Sequence, residues 1–242
     1  MSGFAAVVDE FWGASEATGE VVHRDASLVL VIDPTVDASA PVSIVRRIAG
    51  ATTVTLSPLL GEQLEVRALH DVSEAGILSA LSEADVQLHD ADNLYYFGDA
   101  ARAQLAGHPN AVGVRQLSAS DAAAFERFES QASEQDREDA FVELDHWTVF
   151  GAFEGELLVA AASAYPWHGS RLADIGVLTL PEFRGRGHAR AVVRALARAA
   201  ITAGYEPQYR CQLDNAGSIA LAASAGLTSY GTWQTVSPDA RP

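Results

Sequence analysis

The densest chemistry in the sequence lies in one contiguous stretch, Thr179-Leu180-Pro181-Glu182-Phe183-Arg184-Gly185-Arg186-Gly187-His188-Ala189. Glycines at 185 and 187 let backbone approach a ligand closely. A glycine-rich turn that opens a helix also aims several N–H groups at one point, and the helix dipole adds positive partial charge there. An anionic phosphate is the natural guest. Arg184 and Arg186 supply further donors, and arginines recur at Arg190, Arg194 and Arg198. This run holds five arginines and no acid, in a chain whose net charge is −16. The local sign therefore opposes the global one. Beyond Arg190 the plain alternative is a solvated helix face.

Apolar spacing and punctuation define the framework around this loop. Leu172 to Leu180 reads as a strand entering the loop, and a long helix starts near Gly187, runs to Ala203 and stops at Gly204. Upstream, Val112 to Leu117 reads as a strand, Ser118 to Ser130 as a helix, and Trp147 to Phe153 and Leu157 to Tyr165 as strands. Downstream come a strand at Pro207 to Leu213, a helix at Ala216 to Ala225 closed by Gly226, and a strand at Ser229 to Val236. The break at Gly107-His108-Pro109-Asn110 predicts two domains, 1–110 and 111–242. The first shows an amphipathic helical start (Phe4, Val7, Val8, Phe11, Trp12), strands at Ser27 to Ile32, Val42 to Ile48 and Thr52 to Leu56, and a helix at Ser73 to Leu81 capped by Ser73. It reads as α+β, without a nameable catalytic motif.

Composition narrows the rest. The 242 residues are 48% hydrophobic, enough for a real core, and no apolar run reaches the 18 residues of a membrane span. Asp9 and Glu10 stand where a signal peptide wants basic residues, so the expected location is the cytoplasm. One cysteine, Cys211, makes no intrachain disulfide, and the seven histidines lack metal-ligand spacing, so no metal is expected. Excess acid repels nucleic acid and anionic membranes as partners and suits a cationic one.

Arg184-Gly185-Arg186-Gly187-His188-Ala189 resembles the Q/R-x-x-G-x-G/A signature of the GNAT superfamily of N-acetyltransferases. The stretch from Cys211 through Asp214-Asn215-Ala216-Gly217-Ser218 to Gly226-Leu227 resembles that family's second motif. The resemblance covers roughly the last 130 residues. It implies an α/β (α+β) fold, a splayed mixed sheet flanked by helices, with an additional N-terminal α+β domain that could be a degenerate acetyltransferase half, a lid or a dimerisation unit. It further implies acetyl-coenzyme A as co-substrate, lying where Leu172–Leu180 parts from Pro207–Leu213. The backbone of Leu178, Thr179 and Leu180 would meet its pantetheine arm and supply the donor for the carbonyl oxygen. The N–H groups of Gly185 through Ala189, with Arg184, Arg186 and Arg190, would meet its pyrophosphate, and Asn215 and Ser218 the arm's other side. Asn215 could equally be a helix cap.

The activity so implied is direct attack by an amine of a small molecule or peptide on the thioester, in a ternary complex. An alkylammonium with a pKa near 10 is neutral only about one part in a thousand at pH 7, a deficit of roughly 4 kcal/mol, so a carboxylate base is expected. Asp174 is the first candidate, with Glu143 and Asp145 as alternatives. Relatives often place a tyrosine, as acid for the leaving thiolate, where this chain has Ala222; Tyr230 lies outside that slot by spacing. The alternative reading is a coenzyme A-binding sensor or scaffold whose catalytic groups have decayed. Cys211 reads as core packing rather than as a nucleophile.

Overall fold

The computed structural model describes residues 3–236. The extreme ends of the two predicted domains, 1–2 and 237–242, lie outside the described residues. Helices α1 (Ala6–Trp12) and α2 (Ala14–Thr18) lead into β1 (Glu20–Arg24), β2 (Leu28–Ile32), β3 (Val42–Arg47) and β4 (Thr52–Leu56). Then come α3 (Pro58–Gln63), α4 (Glu74–Glu83), β5 (Asp92–Tyr96) and α5 (Asp99–Ala106). The second half holds β6 (Val114–Gln116), α6 (Ala122–Glu129), α7 (Glu134–Ala140), β7 (Thr148–Glu154), β8 (Leu157–Pro166) and β9 (Leu172–Thr179). It ends with α8 (His188–Thr202), β10 (Glu206–Gln212), α9 (Ala216–Ala225) and β11 (Thr228–Thr235).

All strands join one mixed sheet in the order β1-β2-β4-β3-β11-β5-β10-β9-β8-β7-β6. The mixed α/β fold is the one expected, with helices on a sheet that splays. Where the sequence suggested a division near residue 110, the sheet runs on without a break. Strand β5, from the N-terminal side of Gly107, is hydrogen-bonded antiparallel to both β10 and β11. Leu94, Tyr95 and Tyr96 of this strand are buried.

Two apolar layers hold the sheet. Helix α8 buries Val192, Val193, Leu196, Ala197 and Ala200, a spacing of three and four that lays one face on β7 and β8. In the other half α3 and α4 pack Leu60, Ile77 and Leu81 against Leu28, Leu30, Ile44 and Val54. The Ser73 hydroxyl caps α4 by accepting from the Gly76 N–H at 3.1 Å, as its position predicts.

The parting of β9 from β10 matters most for function. The two are parallel and in register from Leu172/Glu206 to Ile175/Tyr209, and there the pairing stops. Strand β9 continues through Gly176–Thr179 paired only to β8, while Arg210, Cys211 and Gln212 continue on β10 paired to β5. Gly176 sits at the fork. A Cβ there would collide with the carbonyl oxygen of Ala140, so the missing side chain is what lets the end of α7 close over β9.

Candidate active site

Two cavities meet at the fork. The larger, about 760 Å³, runs between β9, the 183–190 loop and one side of α9 from Gly217 to Ser224. The smaller, about 280 Å³, lies among Asp92, Phe141, Tyr165, Asp174, Tyr209 and Arg210. Asp139, Ala140, Val177, Asn215 and Ser218 line both, so this is where a reagent in one space would meet a reagent in the other.

The loop has the geometry its sequence requires. Gly185 and Gly187 adopt left-handed backbone (φ +76° and +85°), Gly187 is the residue before α8, and nothing lies within 4 Å of a Cβ built on Gly185. Arg184, Gly185, Arg186, Gly187, His188, Ala189 and Arg190 all line the larger cavity. The side chains of Arg184, Arg186 and His188 already have partners. The Arg184 guanidinium donates to Asp136 of α7 at 2.8 Å and to the Thr179 carbonyl at 3.2 Å. Glu154, the last residue of β7, accepts from His188 at 2.8 Å and lies 3.4 Å from Arg186. His188 first, and Arg186 with it, hold the Glu154 carboxyl below its usual range. Two arginines of the predicted stripe turn elsewhere: Arg194 donates to the Ala225 carbonyl at 2.7 Å, and Arg198 to Asn110.

On β9 the pairing to β8 determines which of the expected backbone groups are free. The Leu180 N–H donates to Val159 on β8 at 3.0 Å, and antiparallel pairing alternates. Leu178 and Leu180 therefore direct their backbone groups at β8, and Val177 and Thr179 direct theirs into the opening. The Thr179 hydroxyl oxygen is buried without a hydrogen-bond partner, beside that opening. An orphaned donor, open glycine backbone and cationic side chains along one groove fit a long ligand with amide and phosphate groups. Asn215 caps α9, its Oδ1 accepting from the Ser218 N–H at 2.9 Å, and it also lines both cavities.

The smaller cavity is built around Arg210. Its Nε and Nη2 donate to the two oxygens of Asp174 at 3.0 and 2.8 Å, and its Nη1 to Asp92 at 3.0 Å. The guanidinium carbon lies 4.0 Å from the Trp167 ring centroid. Burial works against the Arg210 charge, yet Asp174 and Asp92 outweigh it and hold its pKa above the usual arginine value. Asp174 also accepts from Gln208 at 2.9 Å and from the Tyr165 hydroxyl at 3.3 Å. Four donors fill about four acceptor positions, so Asp174 stands in the expected place without a lone pair left for a substrate proton.

Glu143 and Asp145 line neither cavity. Glu143 faces His146 at 3.7 Å, and Asp145 is exposed. Ala222 is fully buried against the α8 layer, so packing occupies the slot in which relatives keep a phenol. Tyr230 is buried among Asp9 and Arg47, away from both cavities. The residues that sequence reasoning missed are Asp139 and Phe141 around the end of α7, Asp92 on β5, Tyr165, Tyr209 and Arg210. Only the Ser133 cap of α7 announced any of them. Tyr209 lies at the fork beside Ser218, and burial pushes its phenol up to about 12.

Among the described residues no group of three or more His, Cys, Asp or Glu is placed to hold a metal, and no helix is long and apolar enough to cross a membrane. Residues 115–227 match the acetyltransferase (GNAT) family model. No curated protein matches the chain. Solved structures give three instances of likeness. A GNAT-family structure from Novosphingobium aromaticivorans is 19% identical (TM-score 0.46), the match covering 62% of this chain and 64% of that one, less than two thirds of its length. A GNAT-family acetyltransferase from Colwellia psychrerythraea is 19% identical over 76% of this chain and 75% of its own, with a TM-score of 0.48. An aminoglycoside N-acetyltransferase solved with coenzyme A is 19% identical over 51% and 92%, with a TM-score of 0.41.

Proposed function

We propose, from the match of residues 115–227 to the acetyltransferase (GNAT) family model, that the chain transfers an acetyl group from acetyl-coenzyme A to an amine. The observation that carries this reading is the junction: a groove ending in a phosphate-type loop opens, at five shared residues, onto a second cavity lined by carboxylates.

In this reading the Gly185–Ala189 backbone N–H groups, with Arg186 and Arg190, hold the pyrophosphate. Val177 and Thr179 offer main-chain groups to the pantetheine arm, and the Thr179 hydroxyl gains its missing partner. The bound thioester supplies the acyl group: the nitrogen–carbon bond forms, the carbon–sulfur bond breaks, and the sulfur departs with the electron pair. Asp139 is the carboxylate at the junction. It is exposed, and its Oδ1 accepts from Gln135 at 2.7 Å, which leaves it acceptor capacity for an ammonium or the proton that nitrogen releases. Asp174, saturated by its donors, anchors the wall instead. Ser218 and the neutral Tyr209 phenol flank the junction as donors. A thiol pKa near 8.5 makes thiolate a tolerable leaving group, so no strong acid is demanded.

Release of free thiol from acetyl-coenzyme A in the presence of an amine panel, with the acetylated product identified by mass, tests the reading. Coenzyme A binding without thiol release from any amine would support the decayed sensor instead.

A further inference from the structure

The smaller cavity differs from the groove in charge and in shape. Asp92, Asp139 and Asp174 line it against the single cation Arg210, a balance of two negative charges on the wall. Arg210 is committed to Asp174 and Asp92, so it neutralises the interior without offering a strong site for an anion. The rings of Phe141 and Tyr165 stand beside it, 5.6 Å apart at their centroids and nearly perpendicular, and aromatic faces attract cations. Burial pushes the Asp92 carboxyl up, against the pull of Arg210 beside it. At about 280 Å³ the space lies just below the roughly 300 Å³ at which pockets for drug-sized ligands begin.

These features make two separate demands. Acetyl transfer needs one amine at the junction, next to Asp139. The deeper wall, with Asp92 and the rings, favours a positive charge that is never consumed. We propose that the acceptor is a small dication of the diamine type, with one amine reaching the junction and a second cationic group held within the smaller cavity. This rests on the acetyl-transfer reading for the first amine, and on the cavity alone for the second charge.

The test uses the full chain and three four-carbon probes: 1,4-diaminobutane, butylamine and 4-aminobutanoate. Calorimetry with coenzyme A present should show the diamine binding about tenfold or more tighter than butylamine, with 4-aminobutanoate weakest. Asp92→Asn, which keeps an acceptor for Arg210, should cut that preference about threefold or more, Asp139→Asn should weaken the diamine and butylamine alike, and raised salt should cut the preference further. Butylamine binding as well as the diamine, or 4-aminobutanoate binding best, overturns the proposal. Thiol release is read separately on the same probes. A diamine preference in binding with no thiol release keeps the dication site and removes acetyl transfer. Thiol release from butylamine with no diamine preference does the reverse.

Discussion

Two parallel strand pairs lie in the same sheet and end differently. Strands β2 and β4 stay in register over all their residues, from Leu28/Thr52 to Ile32/Leu56, and every residue of β2 is buried. Strands β9 and β10 hold register over four pairs and then separate, each keeping its other neighbour. The segments leaving β4 and β9 differ as well. After β4 the Ser57 hydroxyl caps a six-residue helix, its oxygen accepting from the Leu60 N–H, with no glycine or arginine in the turn. After β9 comes the loop of glycines and arginines and a fifteen-residue helix. A binding groove needs both the parted strands and the helix N-terminus beside them. Among the described residues the N-terminal half has no parallel pair that parts, and the helix that follows its parallel pair has its N-terminus filled by its own Ser57 cap, which fits the absence of a chemical motif in its sequence. Its clearest contribution to the site is β5, which braces β10 and delivers Asp92.

The sharpest way to break this contrast is to spoil the loop. In Gly187→Glu a side chain must adopt φ +85°, and a carboxylate sits where backbone would meet phosphate. Coenzyme A affinity should fall at least about a hundredfold by calorimetry, roughly 2.7 kcal/mol or more. Unchanged affinity in a folded variant would remove the groove as the cofactor site.

Next in size is the bracing of the parted strands. Arg210→Met strands Asp92 and Asp174, and breaking a buried ion pair from one side costs about 3–5 kcal/mol. In a domain of this size that is on the order of 10 °C in melting temperature. The pH dependence has a definite sign. A carboxyl raised by burial, as Asp92 is, stabilises fully below its unfolded pKa of about 3.9 and loses that stabilisation as pH rises through the folded value. Removing the opposing guanidinium raises it further, so the deficit of the variant should widen from pH 4 to pH 7. A deficit that narrows over this range would mean that Arg210 does not hold these carboxylates.

The loop was legible in the sequence because its chemistry is contiguous: every group between Arg184 and Arg190 is within one turn and the start of one helix. Thr52–Leu56 and Ala216–Ala225 were legible to the residue for a similar reason, since β-branching and terminal glycine act locally. The smaller cavity was not legible. Its walls come from β5, the end of α7, β8, β9 and β10, and only tertiary pairing such as Asn93 with Cys211 and Thr232 brings them together. Helix α7, Glu134 to Ala140, is polar on nearly every side and shows no apolar period, yet it carries both Asp136 and Asp139. The partners of Asp174 were invisible for the same reason, and without them its carboxylate looked available.

A smaller effect of opposite sign separates the loop's resting partners from its ligand. Glu154 engages both His188 and Arg186, so an incoming pyrophosphate must compete with a carboxylate already there. Glu154→Gln removes that charge and should tighten coenzyme A binding about two- to fivefold, most visibly at low salt. Weaker binding would show that Glu154 orders the loop more than it competes.

The smallest expected effect concerns Cys211, which lies on β10 two residues beyond the fork and on the wall of the smaller cavity. Its position would allow a two-step route in which the thiol takes the acetyl group before the amine does, so the parted strands alone do not decide between relay and direct transfer. Burial disfavours the relay, pushing the Cys211 thiol up to about 11. At pH 7 that leaves about one part in ten thousand as thiolate, the form that attacks a thioester, and the neighbourhood of Asp92 opposes a negative sulfur. A low-pKa relay cysteine would instead need positive charge beside it, and Arg210, the nearest in sequence, is bound to two carboxylates. Direct attack in a ternary complex avoids that deficit. Cys211→Ser should therefore change kcat by less than about twofold at pH 7, and initial rates with both substrates varied should give intersecting rather than parallel lines in double-reciprocal plots. A loss of a hundredfold or more, with parallel lines for the native protein and an acetylated Cys211 seen by mass, would put the relay in place of direct transfer.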